Sequence, residues 1–274
     1  MKKKTPKTKE PGKPLSDSDG KVISEGCVHV FGLGVRAITQ ITLESNYLLQ
    51  NMQKVFHCED DSRVTEYLAD IGCPEVNLGY LYQEGRKRER VYQEICDLII
   101  ETAKTGVKCA YLAPGNPAFL NSIAFKLQEA TARNRIPFFM YPGVSSIDSL
   151  LTDLRDSVEV TGFQCFEATQ FTRLKPAVDK RVPLFLFQPG AVDAFDVGSG
   201  TRVNLRGVKL LQDTLIKLYG RKATWIVVKS AMSIEENPVI STGDMDGLLE
   251  RADELKLGTL VIPGVLGQAT DVNS

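Results

Sequence analysis

Residues 107–146 read VKCAYLAPGNPAFLNSIAFKLQEATARNRIPFFMYPGVSS. Within them VKCAYL (107–112) and IPFFMY (136–141) are short apolar runs with the length and composition of buried strands. The first breaks into Ala113-Pro114-Gly115-Asn116-Pro117 and the second into Pro142-Gly143-Val144-Ser145-Ser146. A helical pattern over residues 118–133 separates them, and another follows the second turn to residue 154. Strand, turn and helix repeated in this way predict βαβ units and a parallel sheet. Upstream, CVHVF (27–31) is another such strand and runs into Gly32-Leu33-Gly34. In an alternating chain the C-terminal ends of these strands share one edge of the sheet, and ligands bind in the crevice there. Glycine at those ends lets the backbone approach a ligand closely. A lone G-x-G says little more, because the third glycine of a dinucleotide fingerprint is absent.

The intervening chain keeps this rhythm. Thr42 is placed to cap a helix over LESNYLLQNMQ (43–53), KVFHC (54–58) is the second strand, and a helix over 62–71 and a short strand over 75–78 follow. After residue 155 the strand content rises. GFQCFEATQF (162–171) and PLFLFQPG (183–190) read as strands, followed by a helix over 210–219. ATWIVVKS (223–230) and NPVIST (237–242) read as strands, GLLERADEL (247–255) as a helix and GTLVIPG (258–264) as a final strand. The expectation is an α/β protein of two α/β domains, the first with a parallel sheet and the second with a mixed one. Residues 26–156 would form the first domain and 157–274 the second, with the boundary between 155 and 161. Residues 1–25, rich in Lys, Pro, Ser and Asp, have almost no apolar content and are expected to be a disordered basic tail.

Composition narrows the function classes. The chain has 274 residues, 43% hydrophobic and 24% charged, as a globular protein with ample core does. A net charge of −1 and a pI near 6.2 argue against a nucleic-acid-binding surface over the whole chain. No run approaches the roughly 18 apolar residues of a membrane span, and the tail lacks the apolar stretch of a signal peptide. Six cysteines are scattered with no C-x-x-C, several inside apolar runs, which points to free thiols in a reducing cytoplasm. With only two histidines, His29 and His57, both in predicted strands, neither a zinc site nor a Ser–His–Asp site is expected. The glycine-rich VGSGTR (197–202) lacks the GK[ST] ending of a phosphate loop and reads as a surface loop.

Residues 80–103, YLYQEGRKRERVYQEICDLIIETA, are where chemistry is concentrated. Val91, Ile95, Leu98 and Ile99 form one apolar stripe of a helix that begins after Gly85. Arg88 and Tyr92 are four apart, hence neighbours on its surface, and Tyr82 lies in the loop before. A phenol with a pKa of about 10 is a poor base, but an adjacent cation lowers that value. A Tyr–Arg–Tyr cluster can therefore accept a proton or hold a developing oxyanion. The same residues also read as a solvated basic turn with two boundary tyrosines.

GLG after the first strand, PGNPAF after the fourth, PGVSS after the fifth and the closing GTLVIPG together resemble the tetrapyrrole methylase superfamily over residues 26–264. Within it the chain looks most like the borosin peptide α-N-methyltransferases. Those enzymes carry a Tyr, an Arg six residues on and a Tyr four beyond, as Tyr82, Arg88 and Tyr92 stand here. They also share PGVS before an acidic leucine-rich helix, the E-A-x-x-F of Glu167 and Phe171, and a Gln ending the next strand, Gln188. The resemblance implies S-adenosylmethionine as cofactor, bound in the cleft between the two domains. Gly32 and Gly34 would line that cleft. Pro114, Gly115, Asn116, Ala118 and Phe119 would wrap the methionine part, with Asn116 supplying an amide. Ser145 and Ser146 would contact the cofactor or cap the next helix, and Gln188, Ala231, Gly258 and Thr259 would line the adenine side. Catalysis would fall to Tyr92 as proton acceptor, Arg88 as its activating cation and Tyr82 as the group orienting a backbone amide. A homodimer is implied as well. A small-molecule methylase and a non-catalytic cofactor-binding partner are the alternatives.

The chain departs from the family in places. It has GLGVRAI where the tetrapyrrole enzymes usually have G-x-G-P-G-D, and Gly115-Asn116-Pro117 where they have G-D-P. Pro114 and Asn116 stand where the peptide enzymes often have Tyr and His, which puts a mechanism needing a third phenol in doubt unless Tyr111 or Tyr80 supplies it. In fused family members the methylated peptide is the enzyme's own C-terminus. Here VLGQATDVNS follows the closing strand, and ten residues stretch over at most about 35 Å. The expected substrate is therefore a separate precursor peptide acting in trans.

Overall fold

The computed structural model describes residues 26–155, 160–197 and 202–264. The first half alternates strand and helix: β1 (Cys27–Gly32), α1 (Leu43–Leu49), β2 (Lys54–His57), α2 (Ser62–Asp70), β3 (Glu75–Asn77), α3 (Arg88–Lys104), β4 (Lys108–Ala113), α4 (Ser122–Asn134), β5 (Phe138–Tyr141) and α5 (Ser146–Asp153). Its five strands form one sheet in the order β3-β2-β4-β1-β5, every pair parallel. Helices cover both faces, because successive side chains of a strand alternate. On β4, Cys109 and Tyr111 join Val28 and Val30 against Val91, Ile95 and Ile99 of α3 and Ile123 and Leu127 of α4. Ala110 and Leu112 point the other way, to Phe31 and Val55 and to Leu49, Val64 and Leu68 of α1 and α2.

The second half contains β6 (Gln164–Glu167), α6 (Ala168–Leu174), β7 (Leu184–Phe187), α7 (Leu205–Tyr219), β8 (Thr224–Lys229), β9 (Val239–Asp244) and β10 (Thr259–Ile262). These strands make a mixed sheet, β6-β7-β10-β8-β9, in which only β6 and β7 are parallel. The expected pair of α/β regions, one parallel and one mixed, is what the chain forms. The boundary expected between 155 and 161 falls across residues 156–159, and these lie outside the described residues, as do the tail and residues 198–201 of the glycine run.

Several elements differ from expectation for local reasons. α4 starts at Ser122 rather than 118. Asn116 Oδ1 accepts from the Ala118 N–H at 3.0 Å, Leu120 is left-handed at φ 53°, and Asn121 caps the helix by accepting from the Ala124 N–H. GFQCFEATQF is half helix, since the Glu167 carboxylate accepts from the Thr169 and Gln170 N–H groups at 2.9 and 2.8 Å and starts α6. GLLERADEL is not an α-helix: one 3₁₀ turn, Met245–Gly247, ends as it begins and another spans Ala252–Leu255, α7 begins five residues earlier than predicted, and α1 stops at Leu49. On α3 the buried side is rotated to include Cys96, Ile100 and Ala103, so Leu98 is 42% exposed. Thr42 caps α1 as predicted, its side chain accepting from the Ser45 N–H at 3.1 Å.

Gly32 and Gly143 sit where no side chain fits, both against the Gly115 backbone. A Cβ on Gly32 would lie 2.5 Å from the Gly143 nitrogen and 2.6 Å from the Gly115 oxygen, and one on Gly143 would lie 2.6 Å from that same oxygen. All the atoms it would meet are backbone, so nothing there can rotate away. Gly32→Ala should therefore destabilise the chain by about 3 kcal/mol in urea unfolding. Gly72→Ala, at φ +72° with nothing within 4 Å, should cost only the left-handed penalty of about 1 kcal/mol.

Candidate active site

The C-terminal edge of the parallel sheet carries two groups of residues side by side. On the β4-β1-β5 side the three strand-ending turns interlock. The Leu33 N–H donates to the Ala113 oxygen at 2.9 Å, and Gly34 and Gly115 exchange backbone hydrogen bonds of 3.2 and 2.9 Å. Gly34 and Gly115 take φ values of +79° and +64°, which glycine adopts without penalty. A Cβ on Gly115 would meet only the Val144 oxygen, at 4.0 Å, so open space adjoins this backbone. Pro114 and Ala118 are exposed beside it. Ser145 is committed as the N-cap of α5: its Oγ accepts from the Ile147 N–H at 3.2 Å, and its own N–H donates to the Asp148 carboxylate at 2.8 Å. Ser146 is the first residue of that helix.

The second half brings its candidates to one edge of the mixed sheet. β10 runs antiparallel to β7 and β8, so Thr259 at its start pairs with Phe187 and Val228 at their ends. Gln188 follows β7 in the left-handed region, φ 55°, and buried Ala231 lies just beyond β8. Gly258 is packed so closely that a Cβ would lie 2.8 Å from Val227 Cγ1. Phe119 meets this edge, with its ring centroid 5.0 Å from that of Phe187 in an edge-on contact. Leu150 and Leu154 of α5 pack on Phe185, Phe187, Ile226 and Val228. The first-half and second-half candidates therefore border one apolar seam.

The tyrosines gather on the β3-β2-β4 side. Tyr82 follows a 3₁₀ turn over Gly79–Leu81, and its ring centroid lies 6.4 Å from that of Tyr92 on the first turns of α3. Tyr92 packs against the first core, so it belongs partly to the apolar side of α3. Behind them Cys58, the residue after β2, packs with Tyr82 and Tyr92 against the core that holds Tyr111, and the two phenols Tyr111 and Tyr82 draw its thiol pKa down against burial. Tyr111, 2% exposed, is thus the third phenol of the cluster, whereas Tyr80 is 63% exposed. Burial raises the pKa of Tyr82, Tyr92 and Tyr111, and it pushes the Cys58 thiol up to about 12. Arg88 does lower Tyr92, as the sequence suggested, but desolvation outweighs it. At neutral pH the phenols are O–H donors, and the expectation of a lowered phenol pKa is corrected.

Arg88 is held from the second half of the chain. Its backbone N–H donates to the Phe195 oxygen at 3.0 Å and its Nε to the Asp196 oxygen at 3.3 Å. The Val197 N–H donates to the Arg86 oxygen at 2.7 Å, and Val197 itself, 8% exposed, sits in the first core. Sequence reasoning missed Cys58 and this strap. The thiol was visible only as the last residue of an apolar strand, and nothing local ties residue 196 to residue 88. Among the described residues no three metal-ligating side chains converge, and no helix is long and apolar enough to cross a membrane.

With this geometry in hand, comparison with known proteins is informative. The family model for tetrapyrrole (corrin/porphyrin) methylases matches residues 28–179, more than half of the chain, and the chain belongs to that family of methyltransferases. It is 26% identical over 214 residues to a methyltransferase/ribosomally synthesized cyclic peptide dendrothelin A precursor from Dendrothele bispora, covering 78% of this chain and 51% of that one. It is 25% identical over 252 residues to the corresponding omphalotin A precursor from Omphalotus olearius, covering 90% and 60%. The chain thus spans about half the length of the curated relatives it matches. Its fold is that of the cobalamin biosynthetic enzyme cobalt precorrin-4 methyltransferase (TM-score 0.60, 14% identity, 88% and 95% of the two chains). It is also that of uroporphyrin-III-C-methyltransferase from Thermus thermophilus (TM-score 0.57, 17% identity, 88% and 94%).

Because the buried phenols titrate above the unfolded value of about 10, the unfolded chain loses those protons first as pH rises. The stability they contribute is full below about pH 10 and falls as pH climbs toward the folded values. Ultraviolet titration of the folded protein should show Tyr82, Tyr92 and Tyr111 among six tyrosines that ionise late, with Tyr67, Tyr141 and Tyr219, and Arg88→Ala should move Tyr92 later still by removing the cation that lowers it.

Proposed function

We propose that this chain is an S-adenosylmethionine-dependent N-methyltransferase that acts on backbone amides of a separate precursor peptide. The observation that supports it most is the cluster of Tyr82, Tyr92, Tyr111 and Cys58 beside Arg88, at the same sheet edge as the glycine turns. The relatives named as methyltransferase and cyclic-peptide precursor in one chain support the choice of a peptide substrate. In this reading residues 26–156 and 157–274 are the two domains, and the protein works as a cytoplasmic homodimer.

The residues present fit the cofactor. Open space beside Gly115, the apolar walls of Phe119, Phe187 and Ala231, and a few polar groups are the usual makeup of a cofactor site. Gly32, Gly34, Pro114, Gly115, Asn116, Ala118, Phe119, Ser145 and Ser146 would hold it from one side. Gln188, Ala231, Gly258 and Thr259 would hold it from the other. The Asn116 Oδ1 is taken by the turn, so its contact would come from the Nδ2 amide. When bound, S-adenosylmethionine supplies a methyl group on a positively charged sulfur.

An amide nitrogen is a poor nucleophile because its lone pair is delocalised into the carbonyl. What this chain's residues must do is hold the amide and stabilise negative charge on its oxygen as the nitrogen is engaged. Protonated phenols are suited to that. Tyr92 would donate to the amide oxygen with Arg88 adding positive charge, and Tyr82 would orient the peptide plane. Leu260, Val261 and Ile262, the apolar stretch that could mimic a substrate, form the central strand of the mixed sheet and are buried. That supports a substrate other than this stretch.

Incubation with labelled cofactor and candidate peptides tests the reading. Label on backbone amides of a peptide supports it, and label on a small organic product instead supports a tetrapyrrole-like methylase. Arg88→Ala and Tyr92→Phe should keep the fold and cofactor binding and lose turnover by about 100-fold or more. Near-normal turnover in both would remove the cluster from the chemistry. Intact-mass spectrometry with cofactor alone should show no ladder of added methyls. Such a ladder mapped to residues 260–274 would replace the trans substrate with self-methylation.

A further inference from the structure

Tyr82 and Tyr92 meet, ring centroids 6.4 Å apart, across a loop of irregular chain that runs from Tyr82 to Lys87. A loop holds a side chain in place only where something closes it. Arg86 closes this one. Its Nη1 donates to the Leu81 carbonyl at 3.0 Å, and its Nη2 donates to the Glu94 carboxylate on α3. A guanidinium is a planar fork, so bonds from its two arms fix both the separation and the angle of the acceptors. One acceptor stands directly before Tyr82, and the other is two residues after Tyr92.

The bond to Leu81 acts on Tyr82 because a peptide unit is planar. The Leu81 oxygen lies in one plane with the nitrogen and Cα of Tyr82. The Tyr82 N–H donates to the Gly79 oxygen at 2.9 Å, so this plane is held on both sides. Gly79 is anchored in turn. Its N–H donates to Asn77 Oδ1 at 2.7 Å, and Asn77 Nδ2 donates to the oxygen of Glu59, next to Cys58, at 3.0 Å. These bonds tie the front of the turn to β2 and β3, and Arg86 ties its back to α3. The Arg86 carbonyl also accepts from the Val197 N–H at 2.7 Å, in the strap whose Asp196 oxygen holds Arg88.

We propose that Arg86 is the positioning residue of the tyrosine cluster, its guanidinium setting Tyr82 against Tyr92 and Arg88. Its role in turnover rests on the peptide N-methyltransferase reading. Both of its terminal nitrogens are engaged within the chain, so it acts through Tyr82 and not on the substrate. The Arg86 side chain is 28% exposed and that of Glu94 45%, and ion pairs this open contribute little to stability. Loss of the fork therefore falls on where Tyr82 stands and not on whether the chain folds. By residue type alone Arg86 is one of four basic residues between positions 86 and 90.

Arg86→Ala removes the fork and keeps the backbone bond to Val197. With a peptide that the wild type methylates, it should lower kcat by about 100-fold, leave cofactor Kd unchanged and shift the melting temperature by no more than about 5 °C. Arg86→Lys, a cation without the fork, should recover only part of the rate. Tyr82→Phe should lower kcat as well, and adding Arg86→Ala to it should cost less than about threefold more, because a residue that acts through another loses its effect once that other is gone. Losses that multiply, or wild-type kcat in both Arg86 variants, would overturn the inference while leaving the peptide methyltransferase standing. Should Arg86→Ala not fold, Arg86→Lys takes its place in this cycle.

Ultraviolet titration reads the placement of Tyr82 without turnover, with Tyr82→Phe and the double variant as the subtracted backgrounds. Tyr82 ionises late in the wild type because it is buried, and it should ionise earlier in Arg86→Ala. An unchanged Tyr82 titration overturns the inference by itself. If the wild type methylates no peptide, that function fails on its own, and this titration still decides whether Arg86 places Tyr82.

Discussion

The structure depends on a contact that only glycine allows. Gly32, Gly115 and Gly143 follow or end three adjacent parallel strands, and their backbones approach so closely that a Cβ on Gly32 or Gly143 would collide with main-chain atoms. Because the colliding atoms are backbone, the approach sets how far apart β1, β4 and β5 stand at their C-terminal ends. It also sets where the following segments depart. The Pro114–Phe119 turn is thrown out over the mixed sheet, and α5 starts at the capped Ser145 and packs its leucines on β7, β8 and β10. The seam between the halves therefore follows from a steric constraint in one of them.

Across the same edge the character changes from backbone to side chain. The β4-β1-β5 side offers turns, open space and few titratable groups. The β3-β2-β4 side offers phenols and a thiol in partial burial, with a guanidinium nearby. β4 belongs to both, since Tyr111 lies only a few residues before Gly115. One strand thus places a glycine turn bordered by open space and the tyrosine cluster within a short reach of each other. Desolvation is the largest influence on every group in that cluster, and it keeps the phenols protonated despite the cation beside Tyr92.

Long-range backbone contacts complete the cluster. Phe195 and Asp196 contribute carbonyls, not side chains, to Arg88, and Val197 anchors that strap in the core of the other half. Such contacts leave little trace in residue type, since any residue supplies a carbonyl.

What the sequence determined by itself was local. Alternating apolar runs and helical stripes identified each strand of the parallel sheet, the glycine turns marked its C-terminal edge, and Thr42 and Ser145 were legible as caps because capping acts within a turn of the chain. The spacing of Tyr82, Arg88 and Tyr92 placed Arg88 and Tyr92 on one helix with Tyr82 just before it for the same reason. Tertiary structure alone decided the strand order, the meeting of Phe119 with Phe187, the gathering of Cys58 and Tyr82 on the core that holds Tyr111, and the holding of Arg88 by residues more than a hundred positions away. It also decided the direction in which the phenol pKa values move. A sequence shows that a cation is near in the chain, but only the packed structure shows how much water is gone, and here the loss of water is the larger effect.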